Sequence, residues 1–384
     1  MKKHHILILL LVFSFRINAQ DRAFGKQVVD TLTSPFFWGR GYTKNGMAKA
    51  AGYISNRFKE FGLVPLTGTN FQQSFTYSVN KFPGKMMVSL NGKKLTPGRD
   101  FIVSPGSRGI KGHGDLSQSD SSSFVNLKSR VFVQLKEKLT WSVDENATDF
   151  TSIEINKNIL PGPPRSFNIN IENEVEKNFK AVNVCSMVQG LENPDSFIFI
   201  TAHYDHLGGM GKDTYFPGAN DNASGISLLL NLARYYAKHP QKYSIGFICF
   251  GGEEAGLKGS RYFTEHPLIP LKNIRFLINT DLAGTGEEGI TVVNASEFPK
   301  EFTMMNEIND QQKLIVKINA RGKAANSDHY FFSEKGVPAF FFYTLGGIKA
   351  YHDVFDVAAT LPLTEYEDLF KLLIAFNQKL MGKK

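Results

Sequence analysis

In the second half of the chain, short apolar runs alternate with longer segments whose apolar residues recur every three or four positions. The runs FIFITAH (197–203), SIGFICF (244–250) and VPAFFFYT (337–344) predict strands that are buried on both faces. The segments SGISLLLNLARYYAKH (224–239) and LTEYEDLFKLLIAFNQKL (363–380) have helical spacing. This alternation predicts an α/β fold, a three-layer sandwich in which helices cover both faces of a mostly parallel central sheet.

Further segments continue the same alternation. NIRFLINTD (273–281) and KLIVKI (313–318) predict strands, and GLKGSRYFTEH (256–266) and FPKEFTMMNEINDQ (298–311) predict helices. Near the start, MAKAAGYISNRFKEFGL (46–62) has helical spacing and ends at a glycine, a common stop signal. Because this early helix needs a core to pack on, we assign it to the same α/β domain.

Between residues 79 and 175 the pattern changes to short β-prone pieces. They are separated by clusters of Gly, Pro and Ser such as GSRGIKGHGDLSQSDSSS and LPGPPRS. We interpret 79–175 as a small all-β domain. It is inserted into an α/β domain that comprises residues 20–78 and 176–384.

The first nineteen residues form a separate segment. Positive charge in MKK, the apolar run ILILLLVFSF and the small residue Ala19 are typical of a secretory signal peptide over 1–19. The apolar run is too short to span a bilayer, and no later run is apolar for long enough. We therefore expect an exported protein, periplasmic or secreted, without stable membrane insertion.

Composition and charge exclude other classes of protein. The chain has 384 residues, of which 42% are hydrophobic and 21% charged, as in ordinary folded proteins. The formal net charge is +8, but the lysines are scattered without a basic stripe, so we expect no nucleic-acid partner. The two cysteines, Cys185 and Cys249, lie in apolar runs where cysteine usually behaves as a small buried hydrophobe, although neighbouring strands could bring them together.

Acidic residues and histidines stand where the predicted strands end. In open α/β sheets, ligands bind beyond the carboxyl ends of the strands. The residues at this edge are His203 and Asp205 after FIFITA, Glu253 and Glu254 after SIGFICFGG, Asp281 after RFLINT, Asp221 in GANDNASG, and His352 in AYHDVFD. Each alone has an ordinary explanation, since an aspartate can cap a helix or lie in a turn and a histidine can be a structural hydrogen-bonding group.

Together these residues indicate a metal site. Two histidines and several carboxylates, with no cysteine, are the ligand set of a hydrolytic zinc site rather than a structural one. Five ligands are too many for one tetrahedral zinc ion and suit two ions that share a bridging ligand. Two zinc ions roughly 3.5–4 Å apart can activate a water molecule and polarise a carbonyl.

The adjacent glutamates fit this interpretation. Burying a carboxylate is costly unless a cation is near, so a strand that ends in Glu253 and Glu254 indicates a cationic partner. Neighbouring side chains on an extended or turning backbone point in different directions. One glutamate can therefore bind metal while the other acts as a general base.

The remaining motifs are less informative. No GxSxG elbow is present, which disfavours a serine hydrolase. In SDHYFF (327–332), Asp328 and His329 could line the site, but a helix start capped by Ser327 is the simpler interpretation. The other histidines lack a partner pattern, and we expect them mostly at the surface: His113, His206, His239 and His266.

The motifs HYD, GANDNASG, GGEEAGLKGS, NTDLAG and YHDVFD, in this order, resemble those of the co-catalytic zinc exopeptidases of metallopeptidase family twenty-eight. That family includes bacterial leucyl aminopeptidase, aminopeptidase Y and glutamate carboxypeptidase, and the resemblance covers roughly residues 180–360. It implies an exported di-zinc exopeptidase, in the first place an aminopeptidase that removes amino-terminal residues from peptides.

The resemblance also implies roles for single residues. His203 and Asp281 would complete one zinc site and Glu254 and His352 the other, with Asp221 bridging both. Glu253 would be the general base for the attacking water. Asp205 would orient the imidazole of His203, and the peptide bond Asp221–Asn222 would be cis. Many members carry a protease-associated β domain where 79–175 lies, although the sequence match there is poor.

Three alternatives remain at this stage. Glutaminyl cyclases share the fold with a single zinc, but they resemble DGEE where this chain has Gly251-Gly252-Glu253-Glu254. A carboxypeptidase of the same family stays open, because the metal site does not decide which peptide terminus is held, and Arg321 is a candidate for gripping a carboxylate. A relative without metals is disfavoured because all five ligands and the base are present.

Overall fold

The computed structural model describes residues 22–382, so the predicted signal peptide over 1–19 lies outside the described residues. Seven α-helices occur within that range: α1 (Arg22–Leu32), α2 (Gly46–Glu60), α3 (Gly225–Lys238), α4 (Lys258–Glu265), α5 (Pro299–Gln312), α6 (His329–Glu334) and α7 (Tyr366–Leu380). Among these described helices, none combines the length and the apolar character needed to cross a bilayer.

The strands fall into three groups along the chain. Two precede the β-rich region: β1 (Val64–Pro65) and β2 (Gln72–Lys81). Nine form that region: β3 (Met86–Leu90), β4 (Lys93–Leu95), β5 (Phe101–Val103), β6 (Ile110–Asp115), β7 (Ser117–Gln118), β8 (Ser123–Asn126), β9 (Val131–Lys136), β10 (Thr151–Asn156) and β11 (Ser166–Ile171). Nine follow it: β12 (Glu174–Val188), β13 (Asn193–His203), β14 (Gly209–Met210), β15 (Thr214–Tyr215), β16 (Tyr243–Phe250), β17 (Ile274–Thr280), β18 (Gly289–Val293), β19 (Ile318–Ala320) and β20 (Ala339–Leu345).

The central sheet has nine strands in the order β1-β12-β16-β13-β17-β20-β18-β19, with β2 paired to β12. Its middle strands β16, β13, β17 and β20 are parallel neighbours, while β12 and β18 pair in the antiparallel sense. The predicted α/β fold with a mostly parallel central sheet is therefore confirmed. The carboxyl ends of the four parallel strands all open at one edge of the sheet.

Both faces of the central strands are buried, which explains their continuous apolar sequences. In β13, Ile198 and Ile200 belong to one apolar cluster, which also contains residues of α2, α3, α5 and α7. The alternate residues Phe197 and Phe199 belong to a second cluster, which contains Phe263 of α4 and Phe332 of α6. Because side chains alternate between the faces of a strand, an apolar run without alternation packs on helices from both sides.

The same alternation keeps the two cysteines apart. Cys185 on β12 faces the second cluster, whereas Cys249 on the neighbouring strand β16 faces the first. Both thiols are buried and unpaired. Side chains on opposite faces of a sheet cannot form a disulfide without a shift of the backbone.

One predicted strand is wrong. KLIVKI (313–318) is mostly a turn, and the strand there is only β19, because the side chain of Asn309 bonds both the N–H and the C=O of Ile315 at 2.8 Å. Those two groups are therefore not available to a strand ladder. The sequence analysis also missed β18, which pairs with β20 in the antiparallel sense.

The β-rich region contains two small sheets, ordered β4-β3-β11-β6 and β5-β10-β9-β8-β7. Residues of both sheets share one apolar core, which includes Trp141, and this core continues into Leu207, Met210 and Phe216 of the chain that follows β13. The region is thus packed directly against the chain segment that follows β13, at the carboxyl edge of the central sheet. The domain bounds 79–175 stay a prediction.

Truncating one central core residue tests this packing. Phe247 is fully buried and packs against Phe58 and Tyr236, with ring centroids 6.2 and 6.4 Å apart. Phe247→Ala is expected to lower the free energy of unfolding by about 3–5 kcal/mol, because it leaves a cavity that the sheet cannot close. Urea denaturation measures the change, and Leu191→Ala, at a side chain that is 73% exposed, is the control. Equal losses in both variants would contradict the assignment of the core.

Candidate metal centre

The five predicted ligands meet at the carboxyl edge of the central sheet. They come from the end of β13, from the loops that follow β16, β17 and β20, and from the segment before α3: His203, Glu254, Asp281, His352 and Asp221. They line a cavity of about 410 Å³ together with Glu253. Parallel order brings these strand ends to one place although the residues are far apart in the chain.

The carboxylate of Asp221 lies between the two histidines. Its Oδ1 is 3.4 Å from His203 Nε2, and its Oδ2 is 3.0 Å from His352 Nε2. On the first side, His203 Nε2 is also 3.3 Å from Asp281 Oδ2. On the second side, His352 Nε2 is 3.2 Å from Glu254 Oε2. Two sets of donor atoms therefore share one carboxylate.

These spacings fit zinc. Ligand atoms bound at about 2.0–2.2 Å in a tetrahedral site lie roughly 3.3–3.6 Å from one another. The donor set is imidazole and carboxylate, which suits zinc in hydrolytic sites. In addition, Asp281 Oδ1 is buried and has no hydrogen-bond partner among the described residues. A buried carboxylate oxygen without a partner is costly unless a cation binds there.

His206 corrects one expectation. The sequence analysis expected it at the surface, but its side chain is fully buried and its Nδ1 lies 2.7 Å from Glu254 Oε1. It also joins Asp221 and Glu254 in a cluster that could hold a metal ion; within residues 22–382 a second such cluster is His203, Glu253 and Asp281. In the donor set on this side of Asp221, His352 Nε2 lies close to both carboxylates, whereas His206 Nδ1 is 3.9 Å from Asp221.

Each of the two histidines predicted as ligands has its Nδ1 facing a backbone carbonyl. His203 Nδ1 lies 3.2 Å from the carbonyl oxygen of Asp205, and His352 Nδ1 lies 2.8 Å from that of Trp141. Donation from Nδ1 fixes the tautomer and leaves the lone pair of Nε2 for a metal. Both Nε2 atoms point toward Asp221.

The side chain of Asp205 makes a different contact from the expected one. Its carboxylate is 3.9 Å from His203 Nδ1, beyond hydrogen-bond range. Instead it accepts the backbone N–H groups of Glu253 at 3.1 Å and Glu254 at 3.3 Å. Burial raises the pKa of Asp205 to about 6. Asp205 thus holds the main chain of the two glutamates, and it contacts the imidazole through its own carbonyl.

The pKa values of the two adjacent glutamates are shifted in opposite directions. Burial raises the pKa of Glu253 well above its usual range, and the carboxylates around it add to the increase. Burial alone would also raise the pKa of Glu254, but the imidazoles of His352 and His206 hold it well below its usual value. Neighbouring acids whose pKa values are pushed apart are typical of a site in which one moves protons and the other stays ionised.

The glycines before this pair are required by the turn. Gly252 has a φ of 73°, which favours glycine, and a Cβ on Gly251 would lie 2.7 Å from the carbonyl oxygen of Val182. The chain can therefore turn sharply at the end of β16. This turn brings both glutamates over the sheet edge.

Two polar side chains support the two aspartates that were predicted as ligands. Asp356 is buried and accepts the backbone N–H groups of Asn220 at 2.8 Å and Asp221 at 3.0 Å, next to the Asp221–Asn222 peptide bond, which is cis. Ser327 was expected to cap α6, but its side chain makes no cap bond, and its hydroxyl lies 3.4 Å from Asp281 Oδ2.

Arg40 is a buried cation that donates to the backbone carbonyl of Asp221, and the sequence analysis missed it. Its side chain is fully buried, and its five N–H groups donate to five backbone carbonyls at 2.7–3.2 Å: those of Leu32, Tyr204, Pro217, Gly218 and Asp221. Burial lowers its pKa to about 10, although the nearby carboxylates oppose this change. No sequence signal marks Arg40, because its acceptors are backbone atoms of distant segments.

Comparisons with known proteins found similar sequences and similar structures. The profile described as Peptidase family M28 matches residues 183–377. Aminopeptidase YwaD of Bacillus subtilis is 32% identical over 152 residues, which are 39% of this chain and 32% of that protein. The matched part is therefore about a third of that relative's length.

Two solved structures are similar over nearly the whole chain. BSAP, a zinc aminopeptidase from Bacillus subtilis, has a TM-score of 0.68 and 18% identity and covers 93% of this chain and 94% of its own. A Peptidase M28 precursor from Shewanella amazonensis has a TM-score of 0.71 and 14% identity and covers 95% and 94%. These matches show a shared fold.

A conservative change at Arg40 tests its place in the site. A lysine has three donors in place of five, so Arg40→Lys removes the side-chain donor of at least two of these buried carbonyls, which costs roughly 2–6 kcal/mol in the free energy of unfolding. Urea denaturation of the purified protein measures this loss. The control is Arg57→Lys, at a partly exposed arginine paired with Glu60, which should change stability by less than about 0.5 kcal/mol. An equally small effect at Arg40 would contradict its structural role.

Proposed function

The chain belongs to peptidase family M28, and from that membership we propose that it is an exported di-zinc exopeptidase, in the first place an aminopeptidase that removes amino-terminal residues from peptides. The observation that carries the proposal is the position of Asp221, whose two carboxylate oxygens face two separate donor sets. A single-ion site has no use for such a shared ligand.

The residues around Asp221 divide between the two ions. His203 and Asp281 would hold one zinc ion, and His352 and Glu254 the other. Bound zinc would supply an acidified water molecule and polarisation of the substrate carbonyl. The similar Bacillus subtilis proteins are named as aminopeptidases, which supports the reaction class.

Glu253 is proposed as the general base. It lines the cavity beside His203 and is not needed in either ligand set. Its raised pKa suits a group that takes a proton from water and returns it to the leaving amine. Asp205 supports this step by fixing the backbone N–H of Glu253. Because the adjacent Glu254 stays ionised, the two side chains perform different tasks.

The alternatives rest on single features. A glutaminyl cyclase-like enzyme would hold one zinc, and the sequence GGEE argues for a peptidase over it. A carboxypeptidase is favoured by one observation: Arg321 lines the cavity near Tyr343, whose hydroxyl lies 3.3 Å from the guanidinium. An arginine at that place could pair with a free substrate carboxylate. Export is proposed from residues 1–19 alone.

Metal content and two variants test the di-zinc proposal. Elemental analysis of purified protein is expected to give two zinc ions per chain. Glu253→Gln should keep both ions and lower kcat on aminoacyl substrates by about 10²–10⁴-fold, because it removes only the proton carrier. Asp221→Ala should lower the zinc content.

The control for these variants is Glu265→Gln, at a glutamate on α4 that pairs with Arg261. It should leave both zinc content and kcat unchanged. One zinc per chain would favour the cyclase alternative. A Glu253→Gln variant with full activity would exclude Glu253 as the base.

Blocked peptides test which terminus is held. For an aminopeptidase, acetylation of the amino terminus should abolish cleavage of a tripeptide, while amidation of its carboxyl terminus should change kcat/KM little. Arg321→Gln should then leave KM for the amidated peptide unchanged, as should Lys323→Gln at a nearby lysine that is paired with Glu334. The reverse pattern, with amidation and Arg321→Gln both raising KM, would favour the carboxypeptidase.

A further inference from the structure

We propose that Trp141 is a positioning residue for the metal centre, and that the β-rich region thereby holds one of the ligands, His352, in its binding orientation. The inference rests on the proposed two-zinc site. It gives a role to the β-rich region, to which the sequence assigns no chemistry.

The contact between Trp141 and His352 is reciprocal. His352 Nδ1 donates to the carbonyl oxygen of Trp141 at 2.8 Å, and the backbone N–H of Trp141 donates to the carbonyl oxygen of His352 at 2.9 Å. Both the imidazole and the main chain of His352 are therefore fixed by one residue. With Nδ1 as the donor, Nε2 is left facing Asp221 and Glu254.

His352 needs such support because of its backbone. Its φ of 54° lies in the left-handed region, which is unfavourable for a residue with a Cβ. It follows Gly346 and Gly347, two glycines that also have positive φ, so its loop is not held by a regular element. A residue in this conformation persists only when its surroundings fix it.

Trp141 is itself held firmly. It is buried, its Nε1 donates to the carbonyl oxygen of Val103 at 2.7 Å, and its ring stacks on Phe216 at a centroid distance of 4.6 Å. Val103 belongs to β5 of the β-rich region, whereas Phe216 belongs to the chain between β13 and α3. The indole thus links β5 to the chain segment between β13 and α3, and the backbone of the same residue contacts His352.

Neighbouring contacts extend the same attachment along the His352 loop. Lys138 donates to the carbonyl oxygen of Lys349 at 2.9 Å and pairs with Asp353 at 3.4 Å. Val354 packs against the apolar core of the β-rich region. By contrast, the other histidine ligand, His203, has its Nδ1 next to a carbonyl of its own strand end. Loss of Trp141 should therefore weaken the His352 ion and spare the His203 ion.

Zinc titration of the purified full chain, with a competing chelator, tests this. The wild type should bind two ions tightly. Trp141→Ala keeps the backbone carbonyl behind His352 but removes the indole that anchors it. It should keep one ion and bind the second about 10–100-fold more weakly, the range seen when the partner of a metal-bound histidine is disturbed. Trp141→Phe keeps an aromatic ring for the stack on Phe216 but loses the Nε1 bond, and should weaken binding of the second ion by about three- to tenfold, less than Trp141→Ala does. The absorption spectrum of the cobalt-substituted protein should change for one ion only.

The matched control is Ile169→Ala, at a buried residue of β11 in the same apolar core that makes no bond to His352. It should destabilise the β-rich region and leave both zinc affinities within about twofold of the wild type, as expected for a site remote from the ligands. An equal loss of the second ion in this variant would overturn the specific role of Trp141.

The other outcomes separate the two proposals. If the wild type binds two ions and both Trp141 variants bind them with unchanged affinity, the positioning role is overturned and the di-zinc site stands. If Trp141→Ala does not fold, unchanged second-ion affinity in Trp141→Phe overturns the role. If the wild type binds fewer than two ions, the di-zinc site itself fails, and the positioning role with it.

Discussion

Buried negative charge is the constraint on which this structure depends. Several carboxylates lie within a few ångströms of one another at the sheet edge, and most of them are almost fully buried: Asp205, Asp221, Glu254, Asp281, Asp328 and Asp356. Such a cluster is stable only where cations, protons or N–H donors balance it. Part of that balance comes from Arg40, from the two histidines, and from the backbone N–H groups that donate to the carboxylates of Asp205 and Asp356. The spacing of the donor atoms leaves room for metal ions to supply the rest.

The parts of this site that could be predicted are those that follow from strand order. A continuous apolar run marks a central strand, its carboxyl end marks the site edge, and His203, Glu253 and Asp281 stand directly at such ends. Arg40 and His206 could not be predicted in this way, because their partners are brought close by loops whose paths depend on the folded core. The prediction of a strand at KLIVKI was wrong for a related reason, because the side chain of Asn309 bonds the backbone N–H and C=O of Ile315 that a strand would use.

The family resemblance added the roles that spacing alone leaves open. Strand ends predict that the five ligands gather, but they do not say which carboxylate is shared, and the distances around Asp221 now support the bridging position. For Asp205 the expected contact and the observed one differ, because its carboxylate faces the amides of the glutamate turn. The motif thus predicts which residues lie together more reliably than it predicts which of their atoms are in contact.

The positions of the two cysteines have a practical consequence. Because Cys185 and Cys249 face opposite sides of the sheet, no step of folding requires an oxidant. Burial also raises the pKa of both thiols, so neither offers a ready thiolate that would capture zinc in place of the proper ligands. The protein should therefore tolerate a reducing cytoplasm as well as an oxidising compartment, and thiol reagents in a purification buffer should leave its fold intact.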